Sequence, residues 1–127
     1  MKKRAAVLLI GLGMVVPDAN AAGPYDGIWA VTQAGALVAY YSAHENGGTV
    51  IAAALPYDNS YWEAFMGQRS GATATLTTVV SGVTATMSVT FTSDTTLTAR
   101  QVSCVANRAG WQCLFPNGTT FQGTKIF

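Results

Sequence analysis

The sequence predicts an all-β fold, a small antiparallel up-and-down β-barrel of about eight strands, with a β-sandwich as the alternative. Ala, Thr, Gly and Val dominate the composition after the first 21 residues, and no segment there has a sustained helical apolar period. Turn-forming residues recur at intervals of roughly ten residues, which is typical of an antiparallel meander. Closing such strands into a barrel removes exposed sheet edges, so we favour the barrel.

The first 21 residues have the pattern of an export signal. A basic start (Lys2 to Arg4) precedes an apolar run (Ala5 to Val16), and Ala19-Asn20-Ala21 is a small-x-small cleavage site. The apolar run is too short for a membrane-spanning helix, which needs about 20 residues. We therefore predict a cleaved signal at 1–21, a single domain at 22–127, and an exported protein that is periplasmic or extracellular and has no membrane span in its mature form.

Short β-like runs follow one another along the predicted domain. Asn46-Gly47, Ser81-Gly82 and Asn117-Gly118 are the strongest turn signals between them. His44 falls in a predicted hairpin connection that extends to Gly48. The predicted strands are Gly27 to Thr32, Ala36 to Ser42, Thr49 to Leu55, Tyr61 to Gln68, Ala72 to Thr78, Thr84 to Phe91, Thr95 to Cys104 and Thr119 to Phe127.

The central strands show the clearest alternation. Ala85, Met87, Val89 and Phe91 are apolar, and a Thr or Ser stands between each pair. Because successive side chains of a strand point to opposite faces, one face of this strand is expected to be buried and the other exposed to water. For the same reason, we expect Tyr40 and Tyr41 on opposite faces of their strand.

Cys104 and Cys113 are the only two cysteines, and in an oxidising compartment thiols this close in sequence usually pair. Their spacing does not fit Cys-x-x-Cys, and His44 is the only histidine. We predict a structural disulfide, no metal site and no cofactor.

Charge excludes one class of partner. After removal of the signal, four basic and five acidic residues remain, scattered along the chain. Such a distribution has no basic stripe to neutralise phosphates, so we expect no nucleic-acid binding. The oligomeric state is left open.

Two resemblances bear on the fold. Gly27-Ile28-Trp29 resembles the Gly-x-Trp that opens the first strand of lipocalin-like barrels, where the indole closes one end. The segments Tyr25 to Ile28, Tyr40 to Ala52 and Tyr61 to Gly67, including Tyr-Ser-x-His-x-Asn-Gly at 41–47, resemble short secreted bacterial proteins of unknown function. This resemblance implies export and a β-barrel-like fold, and it carries no activity.

Aromatic side chains on neighbouring predicted strands suit a small-molecule pocket or sugar stacking. Filling of the core is the more ordinary role, because a barrel this small needs large side chains inside it. The candidate ligand-binding residues are Trp29, Tyr41, His44, Tyr61 and Trp62. No catalytic set can be assembled around the single histidine.

We therefore expect a non-catalytic binding protein for a small apolar or sugar-like ligand or for a protein partner. Two alternatives stay open. One is a surface structural or interaction protein, and the other is a small secreted hydrolase that uses Asp58, Glu63 or His44.

Overall fold

A computed structural model describes residues 23–56 and 62–127 of the chain. The described part is an eight-stranded antiparallel barrel in which each strand pairs with the next and β8 closes on β1. The strands are β1 (Gly27–Gln33), β2 (Ala36–Asn46), β3 (Thr49–Pro56), β4 (Glu63–Ser70), β5 (Thr73–Val80), β6 (Val83–Phe91), β7 (Thr96–Ala106) and β8 (Thr120–Lys125). The predicted signal at 1–21 and the candidate Tyr61 lie outside the described residues.

Closure of the barrel confirms the first of the two predicted architectures. Trp29 on β1 lies opposite Tyr41 on β2 and opposite Lys125 on β8. The first and last strands are therefore both paired on two sides, as no strand at the edge of a sandwich sheet would be.

Alternation along β6 agrees with the predicted pattern. Ala85, Val89 and Phe91 are buried inside the barrel, whereas Thr84 and Thr90 are exposed. The apolar face of every strand meets those of the others in one interior, which holds the core.

The second hairpin differs from its prediction. β2 continues through His44 and Glu45 to Asn46, and only Gly47 and Gly48, both with positive φ, form the turn. The polar end of β2 reads as a loop in the sequence, but Glu45 pairs with Val50 across the hairpin and its carboxylate binds Arg69. His44 is therefore a strand residue.

A search of the described residues for a helix that is long and apolar enough to cross a membrane finds none.

Candidate functional site

The barrel is hollow. A cavity of about 390 Å³ occupies its interior and is lined mainly by apolar side chains from all eight strands. An eight-stranded barrel is just wide enough for its own side chains to fill it. Four inward positions on neighbouring or facing strands carry only a methyl group, which leaves space at the centre: Ala43, Ala52, Ala85 and Ala99.

One end of the cavity, which we call the floor, is closed by Trp29. This side chain is 1% exposed, and its indole N–H donates a hydrogen bond to the Tyr25 carbonyl (2.9 Å). The Tyr25 ring stacks on Phe91 with centroids 3.8 Å apart. The Lys125 ammonium lies 5.6 Å from the centroid of the Trp29 ring, within the range of a cation–π contact.

Charged residues surround the floor without lining the cavity. Arg69 donates two hydrogen bonds to the Glu45 carboxylate (2.7 and 2.8 Å), and this contact raises the pKa of Arg69. Asp26 accepts a hydrogen bond from the Glu45 N–H (2.8 Å) and lies 3.1 Å from Nδ1 of His44. These contacts connect the segment before β1 to β2 and, through Glu45, to β4. The floor is therefore held by side chains from three parts of the chain.

The opposite end, which we call the mouth, is formed by Glu63, the Ser81-Gly82 turn and Trp111. Glu63 begins β4, and Trp111 lies in the loop between β7 and β8. A Cβ added to Gly82 would overlap the indole ring of Trp111, so the ring lies directly on that turn. Both Glu63 and Trp111 line the cavity.

A disulfide and a pair of hydrogen bonds hold the loop at the mouth. Cys104 and Cys113 form the predicted disulfide, with Cα atoms 6.0 Å apart. The buried amide of Gln101 donates hydrogen bonds to the Phe115 carbonyl (2.7 Å) and to the Asn117 side chain (3.2 Å). The loop that carries Trp111 is thereby tied to β7 at two points.

Glu63 is the one carboxylate that the described part of the chain contributes to the cavity lining. Its burial raises its pKa, and a hydrogen bond from the Ser81 hydroxyl (3.2 Å) offsets part of that effect. The short contacts between basic and acidic side chains within the described residues join His44 to Asp26 and Arg69 to Glu45, and neither includes Glu63.

The structure separates the residues proposed from sequence. Trp29 at the floor and Tyr41 on β2 both line the cavity. His44 lies at the floor end with 70% of its side chain exposed, and Trp62 is 71% exposed and does not line the cavity.

Most lining residues are absent from the sequence-based candidate set, and Trp111 and Gln101 are among them. The cysteine pair was the available signal for Trp111, because a disulfide between Cys104 on β7 and Cys113 in the loop fixes the loop against its strand. Alternation along β7 places Gln101 inward with Leu97 and Ala99, but nothing in the sequence indicates the loop partners of its amide.

Glu63 has no second described acid beside it in the cavity lining, because Asp26 and Glu45 lie together at the floor. Hydrolysis of a glycosidic bond needs two carboxyl groups within about 10 Å that flank the bond. Asp58 lies outside the described residues. Within the described ranges no group of three or more His, Cys, Asp or Glu residues could hold a metal ion.

Comparisons of the chain with protein-family models, with curated proteins and with solved structures find no match.

Proposed function

We propose that this protein binds a small apolar molecule inside its barrel without chemically changing it. The observation that carries the proposal is the cavity of about 390 Å³ with its mainly apolar lining. Ligand pockets in proteins have volumes of roughly 300–1,000 Å³ and apolar walls with a few polar groups.

The lining favours an apolar ligand over a sugar. Each CH₂ group removed from water contributes about 0.8 kcal/mol, whereas each sugar hydroxyl would need a hydrogen-bond partner to offset its loss of water. The amide of Gln101, one of the few polar groups at the wall, is already engaged by the loop of the mouth.

A neutral fluorescent probe, N-phenyl-1-naphthylamine, tests the proposal. Its emission should rise on binding the protein, and the Ala52→Phe substitution should abolish that rise, because Ala52 lines the cavity and the new ring would occupy it. Ala53→Phe is the matched control, since Ala53 is the next residue of β3, is not buried and does not line the cavity.

The proposal fails if the probe does not bind, or if both variants bind it as the unchanged protein does. Circular dichroism would establish that both variants are folded. We expect Ala52→Phe to fold because the ring enters empty space rather than a packed core.

Export is the second part of the proposal. The disulfide between Cys104 and Cys113 supports it, because such bonds persist in oxidising compartments. We expect the protein outside the cytoplasm with Ala22 as its first residue. Recovery of the uncleaved chain in the cytoplasmic fraction would contradict this.

A further inference from the structure

We propose that the ligand is an amphiphilic amine whose apolar part fills the cavity and whose ammonium group pairs with Glu63 at the mouth. This inference rests on the proposed function, since it requires that the cavity takes a ligand. It goes beyond that function by naming the polar group that the ligand carries and the residue that recognises it.

Glu63 lies at the mouth end of the cavity lining. Its carboxylate stands where the apolar lining meets the mouth, and it makes no ion pair within the described residues. The hydroxyl of Ser81 supplies one hydrogen bond (3.2 Å). A carboxylate has sites for about four, so the described residues leave part of its capacity open to another donor.

The charge of Glu63 is only partly compensated by its surroundings. Partial burial of a carboxylate costs free energy unless a positive or hydrogen-bonding group compensates for the lost water. The raised pKa of Glu63, caused by burial, agrees with incomplete compensation. A ligand ammonium would supply the missing charge in surroundings of low dielectric, where an ion pair is stronger than in water.

Trp111 adds an aromatic side chain to the same end of the cavity. Its indole lines the same cavity and lies on the Ser81-Gly82 turn, next to the residue that hydrogen-bonds Glu63. Aromatic faces attract cations, so a carboxylate and an indole at one mouth both favour a positive head group. The same carboxylate repels a fatty acid, and the site thereby selects against ligands of equal shape and opposite charge.

Three probes of matched length test the inference: decylamine, 1-decanol and decanoate. Each would compete with N-phenyl-1-naphthylamine near neutral pH, where decylamine is positive and decanoate negative. We expect decylamine to bind at least about tenfold more tightly than 1-decanol, which corresponds to 1.4 kcal/mol, and decanoate to bind most weakly.

The Glu63→Gln variant keeps the size of the side chain and removes its charge. It should weaken decylamine by about tenfold, change 1-decanol by less than about threefold, and strengthen decanoate. Asp94→Asn is the control, because it removes one negative charge at an exposed turn of the floor end. It should leave the order of the three probes unchanged.

The outcomes separate the two proposals. If the fluorescent probe binds in a manner sensitive to Ala52→Phe, but 1-decanol equals decylamine or none of the three competes, the amine inference is overturned and the cavity-binding function stands. Retention of the preference for amine in Glu63→Gln also overturns it. If the fluorescent probe does not bind at all, the proposed function fails and the inference fails with it.

Discussion

Glu63 has an unfavourable position for a charged group, so its ionisation should lower the free energy of unfolding. Burial raises its pKa above the ordinary value of 4.5. Below that value both the folded and the unfolded states are protonated. As pH rises, the unfolded state loses the proton first, so stability falls until the native group also ionises. Glu63→Gln should therefore be more stable than the unchanged protein near neutral pH, and a tenfold difference in proton affinity between the two states corresponds to about 1.4 kcal/mol.

Urea unfolding as a function of pH measures this difference. The advantage of Glu63→Gln should shrink toward zero as pH falls below 4.5, the ordinary pKa of the group. Asp94→Asn, an exposed site, should show no comparable pH-dependent gain. An advantage that is absent near neutral pH would mean that the folded protein solvates the Glu63 charge as well as water does.

Trp29 should be worth much more to stability than Trp62, although both are tryptophans near a strand start. Trp29 is 1% exposed and donates a hydrogen bond to the Tyr25 carbonyl, whereas Trp62 is 71% exposed. Trp29→Phe should cost about 1–3 kcal/mol, because it leaves the Tyr25 carbonyl without that donor. Trp62→Phe should stay within about 0.5 kcal/mol. Urea unfolding of the two variants decides, and equal costs would contradict the assignment of Trp29 as the floor.

The inward direction of single residues was predictable where the period of two is intact. Tyr41 faces the cavity and Tyr40 is 37% exposed, as alternation requires. The same period places Glu63 inward, two residues before the buried Phe65. Its role at the mouth could not be predicted, because the other groups there, Ser81 and Trp111, come from distant parts of the chain.

The loop between β7 and β8 is the element on which the mouth depends. Replacing Cys104 and Cys113 together by alanine should cost about 2.7 kcal/mol, from the chain entropy of a loop of about ten residues. Probe binding should also weaken, because Trp111 and Phe115 of this loop line the cavity. Urea unfolding and probe titration measure the two effects.

A reducing agent provides the control for this prediction. It should reproduce both effects in the unchanged protein and have none in the double variant, since that variant has no disulfide to reduce. If probe affinity survives the loss of the disulfide, the Gln101 hydrogen bonds alone position the loop.

The strands differ in how well their bounds could be predicted from the sequence. β6 was predictable because apolar and hydroxyl side chains alternate along its length. The end of β2 was not, because His44, Glu45 and Asn46 have turn-like composition. They are held in the strand by pairing with β3 and by the contacts of Glu45 with Asp26 and Arg69, which are tertiary.

For the molecule as a whole, the class of fold follows from pattern, and closure follows from the need to pair every strand. Hollowness has a different origin. It depends on which inward positions carry small side chains. Strand register places Ala43 opposite Ala52, and Ala85 and Ala99 join them only as members of one cavity lining. Composition alone does not distinguish a filled barrel from an empty one.

Closure makes the first strand as intolerant of proline as any other. Ile28 exchanges backbone hydrogen bonds with Phe127 and Ile126 (3.0 and 2.8 Å), so alternation directs the N–H of Ala30 toward β8 as well. In an open sheet this N–H would face water and proline would be tolerated.

In the barrel, Ala30→Pro should lose a ladder bond and cost at least about 1–3 kcal/mol. Ala53→Pro in β3 is the comparator, because β3 is flanked by β2 and β4. Urea unfolding should find both variants strongly destabilised, and an Ala30→Pro variant as stable as the unchanged protein would mean that β1 and β8 do not pair in solution.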